Sequence, residues 1–503
     1  MTNDYLARFS KKFSDKGFKR FLNGGFYFKN STYEYAPTLT APGHSCIYTG
    51  SVPSLTGIIA NEWYDRENNK IVYCADDDSV NVIGAETVKE KFSPKNLLAS
   101  TITDEFLKAH KNSKVISVSL KDRGAVFAGG HLGKSFWYDN VSGNFITTSY
   151  YMNGLPDWVK KFNERKLTEQ YLNTQWITLY PIETYTESTA DDVPWETLYK
   201  GLEKPVFPYD LPSLRDKNKE LLEYTPYGNT ILKEFVLSCL ENEKLGKGNG
   251  PDFFCISFSS TDKVGHHFGP NSIEIEDTYL RLDKDLEEIL NYVETKIGFE
   301  NIILFLSSDH GAVSAPGYLQ SIGVDAGNIK TRELQDSLEI HLAKKYGEND
   351  WVIWIQNLQI YLNHTEIKNK NISLEKIQND AAEYLKTYIG MKEVYTSEGI
   401  YKGIYSSENA KLLKNCYRKD ISGDVFMVLD SNWIWNMSRG TTHGTVYKYD
   451  RNVPLLWYGA GVKHGETDEY NSQCDIAVTL ADILNLPKPD KSIGNSLKKI
   501  FAK

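Results

Sequence analysis

Residues 252–310 read DFFCISF (252–258), SSTDKVGHHFGP (259–270), a helical run over 274–297, then NIILFL (301–306) and SSDH (307–310). The two short apolar runs have the length and composition of buried strands. Between them, Ile275, Tyr279, Leu282, Leu286 and Ile289 recur on one face of a helix. The spacing predicts a strand–helix–strand unit, in which a crossover helix joins two parallel strands of one sheet. KVISVSL at 114–120 reads as a further strand of the same kind. Short apolar strands alternating with longer helical patterns predict an α/β protein: a three-layer sandwich with a mostly parallel central sheet and helices on both faces.

Working outward, two stretches lose this rhythm. Residues 132–225 are rich in Tyr, Trp, Asn and Pro and read as an insertion or cap. Residues 315–430 contain helices at about 329–345 and 375–388 and a strand pair in WVIWIQNLQIYLN. Both are taken as elaborations of a single domain spanning 1–503. At the start, Tyr5, Leu6, Phe9 and Phe13 stand at helical spacing, and no apolar core with a cleavage site marks a signal peptide.

With 503 residues, 41% hydrophobic and 24% charged, the chain has room for one large domain and the composition of a folded one. Its net charge of −9 argues against nucleic acid as a main partner, because a polyanion is repelled. No apolar run approaches the ~18 residues that span a bilayer. Six cysteines lack CxxC or CxH spacing, which argues against a thiolate metal site and leaves disulfide pairing open.

In open α/β sheets, ligands bind beyond the carboxyl ends of the strands. There the chain places Asp262 and His266 after one strand, adjacent Asp309 and His310 after another, and His443 in the Gly-flanked TTHGT loop. Each alone is compatible with a helix cap or a hydrogen-bonded loop residue. Together they supply nitrogen and oxygen ligands suited to Zn²⁺. In TLTAPGHSCIYTG (38–50), Thr40 opens a helical run. A hydroxyl there is either a plain cap or, beside a metal, a nucleophile. In SLKDRG (119–124), Lys121 and Arg123 flank Asp122. On an extended chain both cations project to one side, where they clamp phosphoryl oxygens or are simply solvated.

TxPGHxxxYTG, GIIANEWYD, TDKVGHHFGP, SSDHG and THG follow one another in an order that resembles the alkaline phosphatase superfamily. The Lys-Asp-Arg triplet and a Thr nucleophile resemble its phosphate-irrepressible bacterial alkaline phosphatases, and DIAVTLADILNLPKPDKSIGNSL looks like the closing strand–helix segment. The resemblance covers the chain from about Asp4 to its end. It implies Thr40 as nucleophile, with Asn61, Lys121 and Arg123 as catalytic, substrate-binding groups on the phosphoryl oxygens. It implies two Zn²⁺, one on Asp262, His266 and His443, the other on Asp309, His310 and the Thr40 oxygen. The implied function is hydrolysis of small-molecule phosphate monoesters through a phospho-Thr40 intermediate, in the periplasm or secreted, with a monomer favoured.

One departure stands out. The family carries a further zinc-ligand Asp at the end of its first core strand, in a block D-x-M-R-x-D-Y-L. Asp4-Tyr5-Leu6 resemble the end of that block, which places the ligand and its strand before Met1. The expectation is therefore an N-terminally shortened sequence whose second zinc is held weakly. Two alternatives remain: a nucleotide phosphodiesterase/pyrophosphatase on the same metals, or a catalytically impaired protein that keeps the fold. Sulfatase chemistry is disfavoured because Thr40-Ala41-Pro42-Gly43-His44 lacks the C/S-x-P-x-R nucleophile motif.

Overall fold

A computed structural model describes residues 1–86, 90–215 and 219–502. Its core strands are β1 (Phe26–Thr32), β2 (Val115–Ser119), β3 (Lys134–Asp139), β4 (Asn144–Thr148), β5 (Phe253–Ser257), β6 (Ile303–Leu306) and β7 (Asn452–Gly459). The helices that position the site are α1 (Asp4–Arg8), α2 (Thr40–Thr49), α3 (Asp122–Gly129), α4 (Ser260–Phe268), α5 (Ile273–Lys296) and α6 (Asp475–Ile483).

The strands form two sheets rather than one. The first runs β6–β7–β1, and β1 also pairs with Gly465–Thr467 and Asn471–Ser472. The second runs β5–β2–β3–β4 and ends on Val82–Ile83. β5, β2 and β3 are parallel to one another, but β7 is antiparallel to both β6 and β1. The sheets are thus mixed, within the helix-covered α/β architecture that the sequence predicts.

The predicted unit over 252–306 forms its three elements, with the helix at Ile273–Lys296. Among the described residues its two strands do not pair with each other: β5 bonds to β2 and β6 to β7. Periodicity identifies strands but carries no information on which edges meet, so the expectation of one βαβ sheet is corrected here.

Helices cover both faces. On one side Ile47, Tyr48, Ala128, Ile476 and Leu480 from α2, α3 and α6 pack with Phe28, Leu455 and Trp457. On the other, Ile289 and Val293 of α5 join Phe235 and Val236 of the helix Tyr227–Glu243 against Ile116, Val118 and Phe136. The N-terminal aromatics behave as their spacing suggests: Tyr5, Phe9, Phe13 and Phe18 are buried, with Tyr5 and Phe9 against Tyr279 of α5. The helix itself is short, because α1 ends at Arg8 and turns carry the chain onward.

Within 315–430, helices Thr331–Tyr346 and Leu374–Leu385 pack on a four-stranded sheet that includes the hairpin Val352–Gln356/Gln359–Leu362. Asn357 and Leu358 turn that hairpin at φ 52° and 59°, the left-handed pair a two-residue loop needs. All six cysteines are free and buried.

Candidate active site

α2 begins at Thr40 with Leu39 extended and no side-chain cap, so its first N–H groups face the site. Every residue of the helix is buried. Asn61, just before the strand Glu62–Asp65, accepts the Ala41 N–H on Oδ1 at 2.9 Å. That bond fixes the amide with its NH₂ toward the same space. Neither the Thr40 hydroxyl nor the Asn61 NH₂ bonds to a protein group among the described residues.

Asp262 and His266 lie one turn apart on α4, and their side chains meet because positions four apart share a helix face. Oδ1 of Asp262 stands 3.4 Å from His266 Nε2, 3.8 Å from His310 Nε2 and 3.9 Å from His443 Nε2. The ligand atoms of Asp262, His266 and His443 all lie within 4.8 Å of one another. Donors 2.0–2.1 Å from one tetrahedral ion would stand about 3.3 Å apart, so the spacing suits a metal.

The other ring nitrogens decide the tautomers. Nδ1 of His266 bonds the Thr441 carbonyl at 2.8 Å, that of His443 the Thr38 carbonyl at 2.8 Å, and that of His310 the Gly311 carbonyl at 2.9 Å. A carbonyl only accepts, so each Nδ1 carries the proton and each Nε2 offers a lone pair inward. His310 Nε2 is buried without a hydrogen-bond partner among the described residues, a costly state unless something is to be bound there. The His310 and His443 rings stack at 3.4 Å.

Asp309 follows β6 and places Oδ2 3.4 Å from His310 Nε2 and 3.9 Å from His44 Nε2. Burial favours the neutral acid in both aspartates, but their surroundings outweigh it and hold both carboxyls below the usual range: the Lys121 ammonium and the imidazoles of His266, His310 and His443 around Asp262, and the His310 and His44 imidazoles with the Lys121 ammonium around Asp309. At the same mouth the Met1 ammonium donates to Ser308 Oγ at 2.8 Å and to the His310 carbonyl at 2.9 Å.

Lys121 and Arg123 do not sit on an extended strand. Lys121 is the last extended residue before α3, and Arg123 lies in its first turn, so the alternation argument fails where the helix starts. Lys121 Nζ bonds Asp262 Oδ2, leaving Oδ1 to the histidines. Arg123 Nη1 is held at 3.0 Å by the Tyr73 hydroxyl, which also bonds both Asp122 carboxylate oxygens at 2.8–2.9 Å. Asp122 is thus a buried support for the guanidinium. Both cations act electrostatically on His44, whose pKa burial pushes down to about 4.

Sequence reasoning assigned no role to His44, Tyr73 or Asp122. His44 stood inside a quoted motif, four residues after Thr40. Nothing local marked Tyr73, which arrives by tertiary contact. The segment 132–225 also reaches the site: the Gly440 N–H bonds the Trp195 carbonyl and the Thr197 N–H the His267 carbonyl. It borders the end of α4, which carries His266, and the loop that carries His443.

The chain is similar to known proteins along nearly its whole length. Residues 1–454 match the type I phosphodiesterase/nucleotide pyrophosphatase family. Alkaline phosphatase PhoV of Synechococcus elongatus is 42% identical over 99% of this chain and 90% of its own length. A Myroides odoratus protein named calcium-transporting ATPase is 41% identical over 99% and 92%. The crystal structure of alkaline phosphatase PafA, known from Elizabethkingia meningoseptica, superposes with a TM-score of 0.96 at 36% identity, covering 100% of this chain and 97% of that one. A second PafA structure is of a variant with one threonine, one asparagine, one lysine and one arginine replaced.

Proposed function

The chain belongs to the type I phosphodiesterase/nucleotide pyrophosphatase family and is a hydrolase of the alkaline phosphatase kind, and from that premise we propose that it cleaves small phosphate monoesters through a phosphorylated Thr40. The observation that carries this reading is the convergence of Asp262, His266 and His443, each imidazole fixed by a backbone carbonyl, beside the cavity wall that holds Thr40. Asp262, His266 and His443 would hold one zinc ion, and Asp309, His310 and the Thr40 oxygen a second. When bound, such a pair supplies Lewis-acid stabilisation of the attacking and leaving oxygens. The second set would bring one carboxylate and one imidazole besides the hydroxyl.

The remaining work falls to this chain's own groups. Thr40 Oγ attacks phosphorus as the ester P–O bond breaks, the leaving oxygen departing as the alcohol with the proton the hydroxyl gives up, and water then cleaves the phospho-Thr40 bond to release phosphate and restore the hydroxyl. Asn61 NH₂, Lys121 and Arg123 bind the non-bridging oxygens, and the first N–H groups of α2 favour the anion there. The PafA variant supports these assignments. Its replaced threonine and asparagine lie 21 positions apart and its lysine and arginine two apart, the separations of Thr40 from Asn61 and of Lys121 from Arg123.

The insertion at 132–225 borders the leaving-group side, and that at 315–430 is an elaboration of the same domain. We also propose, on the family resemblance, that the protein is periplasmic or secreted; no described helix is long and apolar enough to cross a membrane. The name of the matching family favours one second reading, diester hydrolysis. Two cations aimed at phosphoryl oxygens weigh against it, because a diester presents one charged oxygen fewer. Parallel kinetics on an aryl phosphate monoester and its methyl diester, with zinc supplied, decide between them. A diester rate equal to or above the monoester rate removes the proposal.

A further inference from the structure

A second group of acids lies apart from Asp262 and Asp309. Glu196, in the insertion at 132–225, and Glu274, in the first turn of α5, are 1% and 0% exposed. Both carboxylate oxygens of Glu196 and Oε2 of Glu274 are buried without a hydrogen-bond partner among the described residues. Oε1 of Glu274 accepts the Tyr209 hydroxyl. The ring of Tyr209 packs in turn on Trp176, Tyr199 and Phe268, with centroids 5.2–5.7 Å apart. Three bare carboxylate oxygens thus lie in apolar, aromatic surroundings.

The two acids act on each other. Burial, and after it Glu274, Asp191 and Asp192, raises the Glu196 pKa, and each of these charged groups is another carboxylate. Burial also raises Glu274 in spite of the Tyr209 bond, and Asp191 and Asp277 add to it. The neighbouring cations are engaged elsewhere: Arg439 Nη1 reaches only the Glu196 main-chain carbonyl, at 3.5 Å, and Lys204 pairs with Asp192. A helix start accounts for an acid at Glu274, since free N–H groups favour an anion there. It does not account for Glu196, which arrives from a distant segment with neither oxygen bonded.

Buried carboxylates are paired with a cation, bound to a metal or kept protonated. Carboxylate oxygens are hard donors, which suit Ca²⁺ better than a softer ion, and Ca²⁺ completes its shell with carbonyl and water oxygens. We propose that Glu196 and Glu274 are ligands of a structural divalent cation of the calcium class, held where the insertion crosses the start of α5. The bonds on either side of Glu196 show what such an ion would secure. The Trp195 carbonyl takes the Gly440 N–H, and the Thr197 N–H bonds the His267 carbonyl. The ion would fix the insertion against the end of α4 and the loop that carries His443. Without it both acids keep their protons; on binding they give them up, so affinity rises with pH.

The test uses the full chain, stripped with chelator and reloaded with zinc alone, and Ca²⁺ as the probe. The expected result is one equivalent of Ca²⁺ per chain by equilibrium dialysis, with a Tm rise of several degrees and release of about one to two protons per ion bound. Glu196→Gln and Glu274→Gln keep the shape and remove the charge. Each should weaken Ca²⁺ binding at least tenfold, with a Tm in the absence of Ca²⁺ no lower than that of the wild type. No uptake by the wild type at millimolar Ca²⁺ would make this a protonated acid pair and overturn the proposal. Unchanged uptake by both variants, or uptake by the wild type without proton release, would place the ion elsewhere and overturn it as well. Tighter binding of Mg²⁺ than of Ca²⁺ would overturn the assignment to the calcium class. Ester turnover is not read in any arm, so the outcome is separate from that of the phosphatase reading.

Discussion

Replacing Arg123 with Ala should separate monoester from diester chemistry. The side chain is 19% exposed, and its Nη1 is held by Tyr73, which Asp122 anchors in turn. Its Nη2 bonds to no protein group among the described residues and is available to a ligand. A charge-assisted hydrogen bond contributes about 1.5–3 kcal/mol, and removing one shielded transition-state donor costs roughly 3–4 kcal/mol. For a monoester, kcat/KM should fall by roughly 10²–10³-fold. For the methyl diester, which presents one charged oxygen fewer, the loss should be about tenfold. Tyr73→Phe removes one supporting hydroxyl and keeps the cation, so its cost should be about 1 kcal/mol, roughly fivefold on the monoester. The assay is initial-rate kinetics on both substrates with metal saturating. Equal losses for Arg123→Ala on the two substrates would refute the claim that the guanidinium reads phosphoryl charge.

Two further outcomes follow from the same structure. His443→Ala removes one of three clustered ligand atoms, so the tightly held zinc should drop from one equivalent to well below one by elemental analysis while the circular dichroism stays unchanged; full retention would place the metal elsewhere. Asp285 is buried, with Thr230 at 3.1 Å and Lys233 at 3.8 Å, and burial pushes its pKa up to about 7. Between about pH 4 and 7 the folded state therefore binds a proton that the unfolded state has lost, so stability falls as pH rises through that window, on the order of 4 kcal/mol in all. Asp285→Asn should flatten this part of a denaturation profile, and an unchanged slope would contradict the assignment.

Much of the site was legible because strand ends collect ligands: Asp262, His266, Asp309 and His310 were singled out from their places after apolar runs and His443 from its Gly-flanked loop, and the structure brings them together. Asp262 and His266 were the easiest pair, since spacing alone puts them on one face. The geometry of Lys121 and Arg123 was misread, because nothing local shows that α3 starts at Asp122. Tyr73 and His44 become visible only once distant segments pack. The fold divides in the same way. Hydrophobic periodicity located α5 within a residue at each end, yet it could not show that β5 and β6 stand apart, because strand pairing is a property of edges that the side-chain pattern does not encode.

The central claim is that Thr40 carries the phosphoryl group. Stopping turnover of a monoester in acid and digesting the protein tests it directly. The account predicts one phosphorylated peptide, that containing Thr40, present in the wild-type chain, retained in Thr40→Ser and absent in Thr40→Ala. A phosphoryl group on another residue, or full turnover by Thr40→Ala, would contradict it.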